Sequence, residues 1–181
     1  MQELTVREYK NSDQAEVFQV YKQSFLGAPW FEDLSDTEIE KRWADQSIKP
    51  GFTCLVAEYD GQVVGAHWFD NTNHKLLIEE RGNELACWVR INRTNHRVIW
   101  ERELIVLPDF QRKGIGSDLR REFMSVCFRN KGGKIMILTR MREDNIGSIK
   151  CAEKSGYERT GVTVSASQKP LKHEYWFRLL D

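Results

Sequence analysis

The stretch Leu104 to Leu119, LIVLPDFQRKGIGSDL, constrains the fold more than any other part of the chain. It passes from a β-branched segment through a short loop into an amphipathic helix starting near Gly114. The N–H groups from Arg112 to Ser117 then gather at the positive end of a helix dipole, where a phosphate finds donors without a metal. Gly114 and Gly116 carry no Cβ, so the main chain there can approach a ligand closely. The pattern points to an anionic, phosphate-bearing cofactor.

Other glycine motifs fail on the same letters. A dinucleotide fingerprint needs a small residue at position 119, which is Leu here. A P-loop needs a G-K-[ST] ending that is absent. What stands is Q-x-x-G-x-G, Gln111 to Gly116, preceded by Val-Leu-Pro-Asp.

The elements around this motif read in a definite order. Leu4 to Tyr9 alternates like a strand, and Asn11-Ser12-Asp13 offers caps for a helix carrying Ala15, Val17, Phe18, Tyr21 and Phe25. Ser35 to Glu38 resembles a capping box for a second helix through Ile39 and Trp43. Strands at Phe52–Tyr59 and Gln62–Phe69 flank Asp60-Gly61, a strong hairpin signal. Residues 70–96 are an insert of uncertain shape, with apolar positions suited to a short helix but a break at Gly82-Asn83.

A strand at Val98–Val106, a helix at Gly114–Asn130 and a buried strand at Ile135–Thr139 make a β-α-β unit with a parallel pair. Asn145 caps a short helix to Lys154, Gly156 ends it, and Tyr157–Val164 and Glu174–Leu180 supply two last strands.

The 181 residues fit one domain, 1–181, that buries about 70% of its unfolded surface. Lys and Arg balance Asp and Glu, so no global field favours nucleic acid or an anionic membrane. Cys54, Cys87, Cys127 and Cys151 lack metal-ligand spacing, and the expectation is reduced thiols and no metal site. A charged N-terminus and the lack of a ~20-residue apolar run lead to the expectation of a cytoplasmic protein. The G-x-S-x-G and H-E-x-x-H motifs of hydrolases and metalloproteases are absent.

The Q-x-x-G-x-G loop and the order of elements resemble the GCN5-related N-acetyltransferase superfamily over essentially the full length, most firmly from Val98 to Tyr157. The resemblance implies a mixed α/β acyl-CoA N-acyltransferase fold. Its sheet would be twisted and mostly antiparallel, flanked by helices, with one parallel β-α-β pair at the cofactor site. It also implies acetyl-CoA as cosubstrate and an amine acceptor, either a small molecule or a peptide. Arg112, Lys113, Gly114, Ile115, Gly116 and Ser117 would hold the pyrophosphate. The backbone of Leu104, Ile105 and Val106 would pair with the pantetheine amides like an added strand, and a strand bulge would turn one N–H toward the thioester oxygen. Asn145 would serve the pantetheine region.

Amine attack needs a base, because an ammonium has no lone pair to offer. Glu103, and next Glu101, are the candidates, and simple alternation places them on one face of their strand. Many family members carry a tyrosine as general acid on the helix after Asn145, whereas this chain has Ala152 at that position. Two functions follow: direct transfer of acetyl to a primary amine in a ternary complex, or non-catalytic binding or sensing of an acyl-CoA. His67, Trp68, Trp30, Phe31 and Trp43 could edge an acceptor cleft, although packing is the simpler role. Exposed sheet edges leave a homodimer open.

Overall fold

The computed structural model describes residues 4–92, 95–129, 133–166 and 170–180. Among these residues the elements are β1 (Leu4–Glu8), α1 (Gln14–Leu26), α2 (Asp36–Ser47), β2 (Thr53–Tyr59), β3 (Gln62–Thr72), α3 (His74–Arg81) and α4 (Asn83–Asn92). They continue with β4 (Arg97–Val106), α5 (Ile115–Arg129), β5 (Ile135–Arg142), α6 (Ile146–Lys154), β6 (Glu158–Ser165) and β7 (Lys172–Leu180). The strands form one sheet in the order β1-β2-β3-β4-β5-β7-β6. β4 and β5 run parallel, while β1/β2, β2/β3, β5/β7 and β6/β7 are antiparallel. This is the mixed α/β, mostly antiparallel architecture expected from the sequence.

Local chemistry explains the boundaries. Asp60 (φ 49°) and Gly61 (φ 81°) both adopt the left-handed region that a two-residue hairpin with the strands' own twist demands. Ser35 accepts from the Glu38 N–H, and the Glu38 carboxylate accepts from the Ser35 N–H at 2.8 Å, completing a capping box. Asn11–Asp13 folds as a 3-10 turn instead of a simple cap. Asp13 gives α1 no side-chain cap; its carboxylate accepts from the Lys10 N–H and from Arg7, both at 2.7 Å.

The insert, left without a shape by the sequence, is two helices. The Asn73 side chain caps α3 by accepting from the Leu76 N–H at 3.0 Å, and Gly82 (φ 89°) breaks the chain before α4. Residues 93 and 94 of the insert, Asn130 at the expected end of α5, and residues 167–169 lie outside the described residues.

The chain divides into two compact units, Met1–Phe69 with Glu103–Val126 and Asp70–Arg102 with Cys127–Asp181. In the first, alternation along β3 sends neighbouring residues to opposite faces. His67 packs edge-on against Phe123 of α5 (4.8 Å), and Trp68 meets Tyr21 of α1 and Trp43 of α2 (5.7 and 5.4 Å). His67 and Trp68 are 0% and 2% exposed, so both are core. Trp43 belongs to the same cluster and Trp30 packs on Phe25 at 5.2 Å, whereas Phe31 stands exposed.

In the second unit Leu77, Leu85 and Val89 from the insert pack with Val98, Trp100, Met136, Leu138, Tyr175 and Phe177. The buried Arg102 guanidinium pairs with Asp70 and, at 2.9 Å, with Glu80 of α3. The insert is thus held by apolar packing and by one ionic knot.

Cys54, Cys87, Cys127 and Cys151 are free thiols. Burial pushes the Cys127 thiol up to about 12, with Arg97 opposing and Glu101 adding to the rise. Such a buried thiol is no nucleophile at neutral pH. No helix among the described residues is long and apolar enough to cross a membrane.

Candidate functional site

The site is assembled in the first unit from the end of β4, the loop after it and the first turn of α5. Pro108–Phe110 forms a 3-10 turn, with the Phe110 N–H bonding the Leu107 carbonyl at 2.9 Å and the Gln111 N–H bonding the Pro108 carbonyl at 3.2 Å. The chain then passes through two left-handed residues, Arg112 (φ 60°) and Gly114 (φ 90°). Left-handed residues in such a turn aim successive amides into one concavity, the geometry of an anion nest. Lys113 lays its ammonium over the Phe110 ring at 4.9 Å.

Five consecutive N–H groups, Arg112 to Gly116, find no acceptor among the described residues. The next two are consumed: the N–H groups of Ser117 and Asp118 both donate to the Gly114 carbonyl, at 2.9 and 3.0 Å. Helix α5 starts there. The expected run of free amides therefore narrows to Arg112–Gly116, and the Ser117 side chain stands exposed. Ile115 is 3% exposed, so any role of this residue is a main-chain one.

Strand parity decides which groups of β4 face outward. The Leu107 N–H donates to Val64 of β3 at 2.9 Å, and the Ile105 carbonyl lies on the same side, 3.0 Å from where a Gly65 Cβ would sit. The main-chain groups of Leu104 and Val106 consequently face the other edge. The Val106 carbonyl there accepts from the Ser24 hydroxyl (3.2 Å) and the Gln111 amide (3.1 Å). Ile105, expected to share in strand-like pairing with a ligand, instead turns its main chain to β3 and buries its side chain (4% exposed). The ladder between β4 and β5 ends at Trp100↔Leu138, so it does not use the Leu104–Val106 edge.

The two glutamates have different surroundings. Glu103 is half-buried, and its charge reaches Tyr21 of α1 and Arg42 of α2. Burial first, then the Glu103 charge, pushes the Tyr21 phenol above its usual range. Arg42 donates to the Tyr21 oxygen at 3.3 Å and stands 3.6 Å from Glu32. Glu101, in the second unit, is 2% exposed, and its field acts on Cys127 of α5. A single face shared by both, as simple alternation predicts, does not describe these neighbourhoods.

Asn145 lies in the second unit as the N-cap of α6, its Oδ1 accepting from the Ser148 N–H at 3.2 Å. The oxygen does the capping, which leaves the amide NH2 as a donor. Ala152 on the same helix is fully buried, so that position offers no acid. Among the described residues no cluster of three or more His, Cys, Asp or Glu could hold a metal ion.

Sequence reasoning passed over Ser24, Tyr21 and Arg42, which reach the end of β4 only through folding. Gln111 was visible as the first letter of the motif, but its bond to Val106 was not.

The chain belongs to the acetyltransferase (GNAT) family, whose model matches residues 15–157. Acyl transfer is the chemistry of that family.

Among solved structures, the chain is similar to a ribosomal-protein-alanine N-acetyltransferase from Brucella melitensis (21% identity, TM-score 0.69, covering 97% of this chain and 99% of that one). It is also similar to a phosphinothricin acetyltransferase from Sinorhizobium meliloti in complex with acetyl-CoA (19% identity, TM-score 0.69, 98% and 88% covered). An N-acetyltransferase from Staphylococcus aureus Mu50 gives 17% identity and a TM-score of 0.69, with 97% and 98% covered. At these identities the likeness is one of fold. No curated protein matches the chain.

Proposed function

We propose that the chain transfers an acetyl group from acetyl-CoA to a primary amine by direct attack within a ternary complex. The observation that carries this reading is the row of five amides, Arg112 to Gly116, without an acceptor among the described residues. A helix start leaves its first N–H groups without intrahelical partners, and its N-terminus adds the field that suits a diphosphate. Arg112 and Lys113 supply charge, and Ser117 adds its hydroxyl. Leu104 and Val106 pair with the pantetheine amides as an added strand would, while Ile105 anchors the segment from behind. Asn145 enters on the family resemblance, with its NH2 as the donor.

In the transfer, the amine nitrogen forms a bond to the thioester carbonyl carbon, the C–S bond breaks, coenzyme A leaves as a thiolate, and the second proton that the nitrogen sheds passes to that thiolate or to water. Glu103 takes the ammonium proton before or during attack, directly or through water. With a thiol pKa near ~8.5, the leaving group has little need of a general acid, which accords with Ala152 where a tyrosine often stands. Glu101, almost without exposure, is the less suitable base.

The test is a thiol-release screen with acetyl-CoA across amine classes, run on the wild type and on Glu103→Gln. The account expects acceptor-dependent release that falls on the order of a hundredfold or more in the variant, with acetyl-CoA affinity unchanged. Stabilisation by acetyl-CoA without thiol release for any amine would select the other reading, an acyl-CoA binding or sensing domain, which the buried Ala152 favours.

A further inference from the structure

We infer that Arg81 and Arg140 form a binding site for a small oxyanion, a carboxylate or a phosphate-like group, in the second unit. Arg81 ends α3 and lays its guanidinium 4.4 Å over the Trp100 ring. Trp100 packs on Tyr175 of β7 at 6.0 Å, and Tyr175 is the cross-strand partner of Arg140 on β5. One guanidinium thus lies on this aromatic pair, and the other belongs to the strand position directly opposite its tyrosine.

The local charges do not balance. Arg102 is matched by Asp70 and Glu80, and Arg142 is held by Asp144 at 2.6 Å. Among the described residues the acidic contact of Arg81 is a long one to Glu80, 3.8 Å, from a carboxylate already engaged by Arg102, and its buried Nε has no hydrogen-bond partner there. Arg140 is exposed and has no acidic partner among the described residues. Against Asp70, Glu80 and Asp144 the four guanidiniums leave one positive charge over, and Arg81 and Arg140 are the least closely matched of the four.

They also feel one another. Burial, then Arg140 and Arg102, draws the Arg81 guanidinium down to about 10. His173, next to this group on β7, is lowered to about 4 by burial and by Arg140 and Arg142, against the opposing pull of Asp144. Neighbouring cations that outnumber their counterions are what an anion site looks like before its ligand arrives. The planar donors of arginine suit the two oxygens of a carboxylate or phosphate. The anion is either free or part of a larger ligand, such as an amine acceptor that also bears an acid group.

The inference does not rest on acetyl transfer and is tested without acetyl-CoA. Thermal midpoints are measured with inorganic phosphate, and separately with acetate, against chloride at equal ionic strength. The proteins are the wild type, Arg140→Gln, Arg112→Gln/Lys113→Gln and Lys41→Gln, the last removing an exposed charge on α2.

The expected result is a phosphate- or acetate-specific rise in the wild type and in Lys41→Gln. The rise shrinks severalfold in Arg140→Gln, and an Arg140-dependent part persists when Arg112 and Lys113 are gone. Without anion, Arg140→Gln is at least as stable as the wild type, because it relieves repulsion on Arg81. A response that follows only Arg112 and Lys113, one equal to chloride, or one unchanged in Arg140→Gln overturns the inference. To separate the sources, matched amines with and without a carboxylate are compared by their competition with phosphate. Competition by the acidic amine alone at equal concentration identifies an acceptor group, and equal failure of both identifies a free anion.

Discussion

A Cβ placed on Gly65 would lie 3.0 Å from the main-chain oxygen of Ile105, and 3.2 and 3.4 Å from Leu119 and Ile115 of the first turns of α5. The absence of that carbon lets β3, β4 and the start of α5 close on one another directly behind the amide loop. The main-chain oxygen cannot swing aside as a side chain could.

Gly65→Val should therefore destabilise the protein by about 1–3 kcal/mol, read from the urea midpoint, and weaken acetyl-CoA binding as the loop shifts. Gly27→Ala, where nothing lies within 4 Å of the new carbon, serves as the control and should be nearly neutral.

Arg102→Leu should cost about 3–5 kcal/mol, because it removes the guanidinium shared by Asp70, whose side chain is 1% exposed, and Glu80. The loss should appear in denaturant midpoints and in faster proteolysis of the insert, α3 and α4. An unchanged midpoint would show that the ionic knot does not hold these helices.

Arg112 adopts a left-handed backbone, φ 60°, which a glycine reaches at no cost. Arg112→Gly should keep or slightly raise stability, and Arg112→Ala should not. If the guanidinium meets a phosphate, both variants should weaken acetyl-CoA binding about tenfold, equivalent to about 1.4 kcal/mol, with a shallower salt dependence. Calorimetry at two salt concentrations separates the backbone effect from the charge effect.

His173 gives a pH prediction with a definite sign. Its folded pKa, about 4, lies below the ordinary histidine value of 6.5. Between those values the unfolded chain binds a proton that the folded chain does not, so stability falls as pH drops through this window and levels off below it. Wild type should lose on the order of 1–2 kcal/mol relative to His173→Gln between pH 7 and pH 4, the figure discounted for partial exposure. Parallel stability curves for the two proteins would contradict it.

Much of the fold was legible because its boundaries are set by local chemistry. Ser35 with Glu38, Asp60 with Gly61, and Asn145 with Ser148 are separated by three residues or fewer; the first and last pairs satisfy orphan groups of their own helix start, and the middle pair supplies the two left-handed residues of its hairpin. The insert was illegible as a shape because α3 and α4 are short and Gly82 interrupts their apolar spacing. Asn73, the cap that starts α3, is one polar residue in the run Asp70 to His74 and carries no decisive signal.

The site was legible in its loop and illegible in its depth. Glycine and glutamine spacing announced the amides, whereas only folding showed that Ser117 spends its N–H on Gly114 and that Ile105 faces β3. The same holds for Arg7 with Asp13 and Glu58, and for Arg102 with Asp70, where the partners are chosen by strand register and helix packing.

Titration of the labelled protein with acetyl-CoA, followed by amide resonances in two-dimensional NMR, reads the loop itself. Saturable shifts should be largest at Arg112, Lys113, Gly114, Ile115 and Gly116, with a second group at Leu104 and Val106. Saturation with those amides unmoved, or no saturation at millimolar ligand, would contradict binding at this loop.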